Sequence, residues 1–287
     1  MKLKIYILIL ALGAAWSLQS CDNDDHDSIA VPVELQNAFS SKYPNAVNVK
    51  WKGKSGYYVA DFYDGYETSA WFTQDGKWQM TETDIPYMAL PQAVRTSFEA
   101  TEYHTSWRTD DVDKLERKGV ETVYVIEVER QNQELDLYYS GEGVLIKKVV
   151  DTDDDRDDQY LPALNVTLTD EMRRFLDTKY PGLKLIEVDV EDEGRYAGYT
   201  EVDIIHERFG KEVLFNKNGE WVLTSWEVHF STLPEPVKNR INDTYPGQVD
   251  DDDVEYVEEA TGCTYYLIDI ENSKQDVKIS ADGQILN

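Results

Sequence analysis

Residues 35–44, Leu35-Gln36-Asn37-Ala38-Phe39-Ser40-Ser41-Lys42-Tyr43-Pro44, return as residues 172–181, Met172-Arg173-Arg174-Phe175-Leu176-Asp177-Thr178-Lys179-Tyr180-Pro181. A third version runs from Val237 to Tyr245-Pro246, with Thr244 in place of the lysine. In each, apolar residues recur at helical spacing: Leu35, Ala38 and Phe39; Met172, Phe175 and Leu176; Val237, Ile241 and Tyr245. That spacing gathers them on one face. Pro32, Thr169-Asp170-Glu171 and Pro236 mark the starts. The closing proline marks the stop, because it pushes the preceding residue out of helical backbone. The sequence therefore predicts short one-sided helices, each ended by Tyr-Pro.

Beyond each helix the period falls to two. Val47, Val49 and Trp51 share one face of a first strand; Tyr58, Ala60 and Phe62 follow, then Thr68, Ala70 and Phe72. Runs at 123–128, 135–139, 144–149, 202–205, 213–215 and 265–270 alternate likewise. Antiparallel strands with one covered face give this pattern. Each unit closes on a glycine turn: Asp75-Gly76-Lys77-Trp78, Gly141-Glu142-Gly143-Val144, Asn218-Gly219-Glu220-Trp221 and Asp282-Gly283-Gln284-Ile285. Glycine accepts the positive φ such turns need. Gly76 and Gly219, Trp78 and Trp221, and Leu90-Pro91 and Leu233-Pro234 all lie 143 residues apart. Within the halves the closing glycines are 65 and 64 apart. The chain is a duplication of a duplication. Its fold class is α+β, with four units of a short helix plus three or four antiparallel strands. Only the polar stretch from Glu102 to Lys118 lacks a crisp first strand.

The 287 residues carry 28 basic and 56 acidic side chains, a net charge of −28. At 41% hydrophobic and 12% aromatic the chain has material for packed cores, and its length fits two domains. The acidity excludes nucleic acid and electrostatic docking on anionic lipid. Lys2 and Lys4 precede an apolar run from Ile5 to Trp16, too short for a bilayer span but suited to a signal peptide. Leu18-Gln19-Ser20-Cys21 resembles the bacterial lipobox, whose cysteine is lipidated and becomes the first mature residue. Residues 1–20 are then a leader and 21–30 an acidic tether, leaving a mature charge of −30. The tether also resembles the surface-export signal of Bacteroidetes lipoproteins, and Asp27-Ser28-Ile29 fits their O-glycosylation motif. The expected destination is the outer membrane, on its periplasmic side or at the cell surface, with the lipid anchor as the membrane contact. Residues 151–165 open with the aperiodic acidic run Asp151 to Asp158 and read as a linker between domains at 31–150 and 166–287.

Lipobox, tether, Lys-Tyr-Pro helices, aromatic strands and a closing Asp-Gly-Lys-Trp together resemble the PepSY-like lipoproteins of Bacteroidetes, related in fold to the beta-lactamase-inhibitor proteins. The resemblance covers about residues 31–287 as two tandem domains. Glu102 to Lys118 and Leu161 to Val166 depart from it. It implies a small α+β unit whose sheet is open on one face for binding, and a role in inhibiting or modulating other extracytoplasmic proteins. For some members it implies regulation by calcium. It brings no catalytic residues.

The residues agree. No G-x-S-x-G elbow occurs, and His26, His104, His206 and His229 stand outside H-E-x-x-H and C-x-x-C contexts. With Cys21 acylated, Cys263 has no internal disulfide partner and is expected as a small, semi-buried residue. The chain reads as a binding protein, not an enzyme. Its expected ligand is an extracytoplasmic protein held on the sheet faces; a calcium- or glycan-binding accessory role is the alternative. Calcium wants several oxygen ligands, and acids cluster at Asp151 to Asp158, Glu187 to Glu193 and Asp250-Asp251-Asp252-Asp253. Asp189, Glu191, Glu193 and Gly194 match four EF-hand positions, but Thr200 stands where the bidentate Glu belongs. Asp250, Asp251, Asp252 and Asp253, in a loop after Tyr245-Pro246-Gly247, are the candidate calcium ligands; otherwise these acids are a solvated surface. Trp51, Tyr57, Tyr58, Tyr63, Trp71, Trp78, Tyr138, Tyr139, Trp221 and Trp226 fall on strands. In Tyr57-Tyr58, Tyr138-Tyr139 and Tyr265-Tyr266 one ring should face away from the helices, either as an exposed row for protein or sugar, or in a two-sided core or a domain contact.

Overall fold

Each Tyr-Pro helix leads a four-strand meander, and each sheet joins two four-strand units. The computed structural model describes residues 29–131, 133–151, 160, 167–191, 194–249, 254–270, 273 and 276–286. In the first half α1 (Val33–Lys42) precedes β1 (Val47–Lys54), β2 (Tyr57–Tyr63), β3 (Glu67–Phe72) and β4 (Trp78–Asp84). Then α2 (Gln92–Glu99) and α3 (Glu102–Ser106) precede β5 (Arg108–Arg117), β6 (Val123–Arg130), β7 (Gln133–Ser140) and β8 (Leu145–Asp151). The second half repeats this with α4 (Asp170–Lys179), β9 (Lys184–Val190), β10 (Thr200–His206), β11 (Phe209–Phe215) and β12 (Trp221–Glu227). It finishes with α5 (Glu235–Thr244), β13 (Val254–Glu259), β14 (Thr264–Ile268), β15 (Val277–Ile279) and β16 (Ile285–Leu286). Both sheets have eight strands in sequential antiparallel order. The α+β architecture of duplicated units is therefore as the sequence predicts.

Every helix packs on the same side of its sheet. Leu35 and Phe39 of α1 meet Ala60, Phe62, Ala70 and Phe72, while Val94 and Phe98 of α2 meet Ile126, Val128, Leu137 and Tyr139. Met172 and Leu176 of α4 meet Val202, Ile204, Val213 and Phe215, and Val237 and Ile241 of α5 meet Val254, Ile268 and Ile279. Burial of one such side chain contributes about 1.5–3 kcal/mol. Tyr43, Tyr180 and Tyr245 end their helices with φ between −123° and −131° and ψ between 53° and 69°. The proline that follows each of them disfavours the helical region there.

Two local expectations are corrected. Asn48, at φ 58°, sits where the β1–β2 register shifts, so alternation breaks and Val47 and Val49 are exposed instead of joining Trp51 in the core. Asn tolerates that backbone better than most residues. The polar stretch from Glu102 to Lys118 holds α3 and the ten-residue β5. Its Leu115 and Val112 are buried on opposite faces, and its Arg117 has a partner described below.

Candidate functional site

The residues that carry the repeat hold the units together. Thr224, on β12, lies under the end of α4: its hydroxyl is 2.6 Å from the Tyr180 hydroxyl and accepts the Trp221 indole N–H at 3.0 Å. The first unit repeats this, with Tyr43 bonded to Thr81 and the Trp78 N–H donating to Thr81 at 2.9 Å. Lys42 and Lys179 cap the assemblies, their ammonium groups 3.8 Å and 4.5 Å from the Trp78 and Trp221 ring centroids. Burial pushes the Tyr43 phenol up to about 12. Lys-Tyr-Pro and Gly-x-Trp are thus two ends of one contact, joined through a threonine that motif reading overlooked. Thr81 and Thr224 share the 143-residue offset, which could have found them.

The faces without helices are where the sequence places a ligand surface. Tyr57, Tyr138 and Tyr265 do point away from the helices, with Tyr58, Tyr139 and Tyr266 on the helix side. The outward rings are nevertheless buried, at 3%, 5% and 6% exposure. On the first sheet Tyr57, Val59, Trp71, Met80, Leu115, Val125 and Tyr138 form one apolar cluster with Tyr160 and with Ile186 and Ile205 of the second half. On the second, Leu214, Leu223, Val257, Tyr265 and Leu267 pack with Tyr196 and Tyr199. The exposed aromatic row is therefore replaced by interior packing, and the domain contact takes the first sheet's share. Exposed strand or turn aromatics are Tyr63, Tyr66 and Phe209.

The two halves meet where β8 crosses the second sheet. Lys147 reaches Glu187 at 2.5 Å and Asp203 at 2.9 Å, and Arg117 reaches Glu187 at 2.7 Å. Lys148 pairs with Glu227 at 3.0 Å, and the Glu121 N–H donates to the Leu185 carbonyl at 2.9 Å. Gly210 makes room for this crossing, since a Cβ there would stand 2.6 Å from the Ile146 carbonyl oxygen. The register aligns Glu187, Asp203, Glu212 and Ser225 across four strands on the helix-free face. Glu201 lies one pair along, and one carboxylate oxygen each from Glu201, Asp203 and Glu212 fall within 4.8 Å of one another. Like charges placed opposite one another repel.

Their protonation follows from the surroundings. Burial opposes ionisation of Glu187, but Lys147 and Arg117 overcome it and hold the carboxyl at about 2. Asp203 is shifted upward by burial, against the pull of Lys147. Burial and the neighbouring Glu191 push Glu201 up to about 7. On the first sheet, burial followed by Glu82, Asp111, Asp84 and Asp136 pushes Asp113 up to about 9.

The sequence-derived sites fare unequally. Cys21 and Asp250 to Asp253 lie outside the described residues, as do His26 and most of the 151–165 segment. The Glu187 to Glu193 cluster is no solvated loop at its start, where Glu187 is half-buried and held in ion pairs. Cys263 is exposed in the turn between β13 and β14, where its N–H bonds Thr261 and its carbonyl accepts from Glu259, so it is not the semi-buried residue expected. His104 packs on Phe98 and His206 on Tyr180, while His229 precedes the turn at Phe230–Thr232. A cavity of about 450 Å³ at the end of β4 gathers Asp84, His104, Asp110 and Asp111, with no serine or cysteine in its lining. Among the described residues no helix is long and apolar enough to cross a membrane.

Residues 56–147 and 198–287 match the family described as "Putative beta-lactamase-inhibitor-like, PepSY-like". A BLIP-like protein from Bacteroides fragilis is 37% identical over 50% of this chain and 100% of its own, with a TM-score of 0.45. A DUF2874 family protein from Bacteroides uniformis is 28% identical over 42% of this chain and 90% of its own, with a TM-score of 0.40. A structure from Bacteroides eggerthii, described as "putative periplasmic proteins", is 27% identical over 42% and 89%, with a TM-score of 0.39. No curated protein matches the chain.

Proposed function

The chain belongs to the PepSY-like, beta-lactamase-inhibitor-like family, and from that premise we propose that it is a non-catalytic binding protein of the cell envelope, anchored through Cys21, whose ligand is another extracytoplasmic protein. The observation that carries this reading is an exposed patch at the free edge of the first sheet. Val47 and Tyr63 are directly opposed on β1 and β2, at 51% and 47% exposure, and Tyr66 follows in the next turn at 42%. Aromatic rings with an aliphatic neighbour are the composition of interface anchors. The helix-free faces support it less, because their apolar residues are already packed. Lys50 and Lys52 on the edge strand discourage pairing with a further strand, so side chains would make the contact.

The test uses the lipid-free chain from residue 22, immobilised and exposed to fractionated envelope proteins. A saturable one-to-one partner, bound by the parent chain and lost on combined Tyr63→Ala and Tyr66→Ala substitution, is the expected result. A partner bound equally by both forms would move the interface elsewhere. Turnover on a hydrolase panel, with no saturable partner, would overturn the reading.

A further inference from the structure

We propose that Lys211, Trp226, Tyr256 and Tyr266 form a binding site for an acidic sugar, a uronate unit whose carboxylate meets the Lys211 ammonium and whose ring rests on the aromatic row. The row is built by register. Trp226 pairs with Tyr256 and Tyr256 with Tyr266 across β12, β13 and β14, with ring centroids 4.8 Å and 5.3 Å apart. Lys211 adds the fourth member from β11, its ammonium 3.4 Å from the Trp226 ring centroid. These side chains lie on the helix side, where the row runs from Tyr180 at the end of α4 to the apolar cluster beneath α5. The register gives the corresponding row of the first half as Thr68, Thr83, Lys114 and Tyr124. The fold itself therefore requires neither Lys211 nor the rings of Trp226 and Tyr256.

The chemistry of the row selects the ligand. Lys211 is 7% exposed and has no hydrogen bond or ion pair among the described residues. What surrounds its ammonium is aromatic: Trp226, then Tyr180 and Phe209, each with its ring centroid 5.8 Å away. Glu258 and Glu207 act on it from a distance, and Glu258 is already paired with Lys179 at 3.0 Å. Ring faces attract a cation but do not accept its N–H donors as an anion does. A cation taken from water with no anion opposite it is unfavourably placed, and burial pushes this ammonium down from its ordinary value. One cation calls for one negative charge, which a carboxylate carries and a phosphate monoester exceeds. The half-buried rings are tilted against one another by 54° and 63° rather than stacked, so their faces do not seal each other. The Tyr256 and Tyr266 hydroxyls make no hydrogen bond among the described residues. An apolar C–H face, several hydroxyls and a single carboxylate are what a uronate offers such a surface. The site lies apart from the Tyr63 and Tyr66 patch and does not rest on the protein-binding reading above.

The experiment follows the Trp226 indole N–H resonance, assigned with Trp226→Phe, in the chain from residue 22 titrated with sodium glucuronate, glucose and sodium acetate. Glucuronate should shift it saturably at millimolar concentration. Glucose and acetate should bind about tenfold or more weakly, because each lacks one half of the match. Lys211→Met, which keeps the length and apolar packing of the side chain, should weaken glucuronate binding about tenfold or more. Tyr256→Phe, which keeps the ring and removes the hydroxyl, should weaken it less, and circular dichroism should show both variants folded. Combined Tyr63→Ala and Tyr66→Ala should leave the titration unchanged. The proposal is overturned if glucuronate gives no saturable shift at tens of millimolar, or if glucose or acetate binds as well as glucuronate. It is equally overturned if binding survives either Lys211→Met or Tyr256→Phe undiminished.

Discussion

At the scale of single residues, Thr224 shows how much one hydroxyl can organise. It is fully buried, and it satisfies both the Tyr180 hydroxyl and the Trp221 indole. Thr224→Val preserves shape but strands those two polar groups, at a cost of about 1–3 kcal/mol. Urea unfolding should read that loss as a lower midpoint at unchanged slope. Combining it with Tyr180→Phe should cost less than the sum of the two single changes, because the second removes a group the first had already orphaned. Strict additivity would mean that the short Tyr–Thr contact carries no energy. The threonine was not legible as a motif member, since a lone Thr in a strand has no local signature. Its 143-residue echo at Thr81 was legible.

At the scale of elements, the closing turns are locked onto the helices that begin their units. Gly283 has φ +83°, and a Cβ there would stand 2.6 Å from the Pro236 carbonyl oxygen in the first turn of α5. Gly219 has φ +80° but meets only side-chain atoms, of Met172 at 3.6 Å and Thr169 at 3.8 Å. Alanine at either site meets the left-handed penalty of about 1–2 kcal/mol. At Gly283 it also meets backbone that cannot move without shifting the helix. Gly283→Ala is therefore expected to destabilise clearly more than Gly219→Ala in paired urea titrations; equal losses would show that turn and helix are free to separate. Asp-Gly and Asn-Gly located these turns from sequence alone. Nothing in the turns themselves announced the distant carbonyl.

At the scale of the whole molecule, buried charge joins the halves. Lys147→Met leaves Glu187 and Asp203 facing each other, and breaking such a buried pair costs about 3–5 kcal/mol. Calorimetry should then show the single transition splitting, as the halves lose their shared ion pairs; an unchanged single transition would place the coupling in the apolar cluster instead. The acidic groups also set a pH dependence. Asp113 rises from 3.8 to about 9 and Glu201 from 4.5 to about 7 on folding, so between those limits the folded chain holds protons that the unfolded chain releases. Their contribution is complete below about pH 4 and lost as the pH climbs through the folded values. Glu187 behaves oppositely: depressed from 4.5 to about 2, it stabilises above pH 4.5 and loses that effect as the pH falls toward 2. The melting temperature should accordingly be higher at pH 5 than at pH 8.5, and Asp113→Asn should flatten the decline. A melting temperature that rises steadily across that range would contradict the assignment.

The sequence by itself determined the unit: a short helix, stopped by Tyr-Pro in three of the four, three or four alternating strands, a glycine turn, and two levels of repetition. These are short-range consequences of backbone preference and of periods 3.6 and 2, so they can be read within a window of a dozen residues. It also determined that residues 202–205 alternate along a strand. What lies against each side of that strand was decided only by tertiary structure. Lys147 meets Asp203 from 56 positions away, and Arg117 meets Glu187 from 70. A periodic pattern specifies which way a side chain points from its own sheet, whereas burial and Coulomb partners depend on how two finished sheets pack.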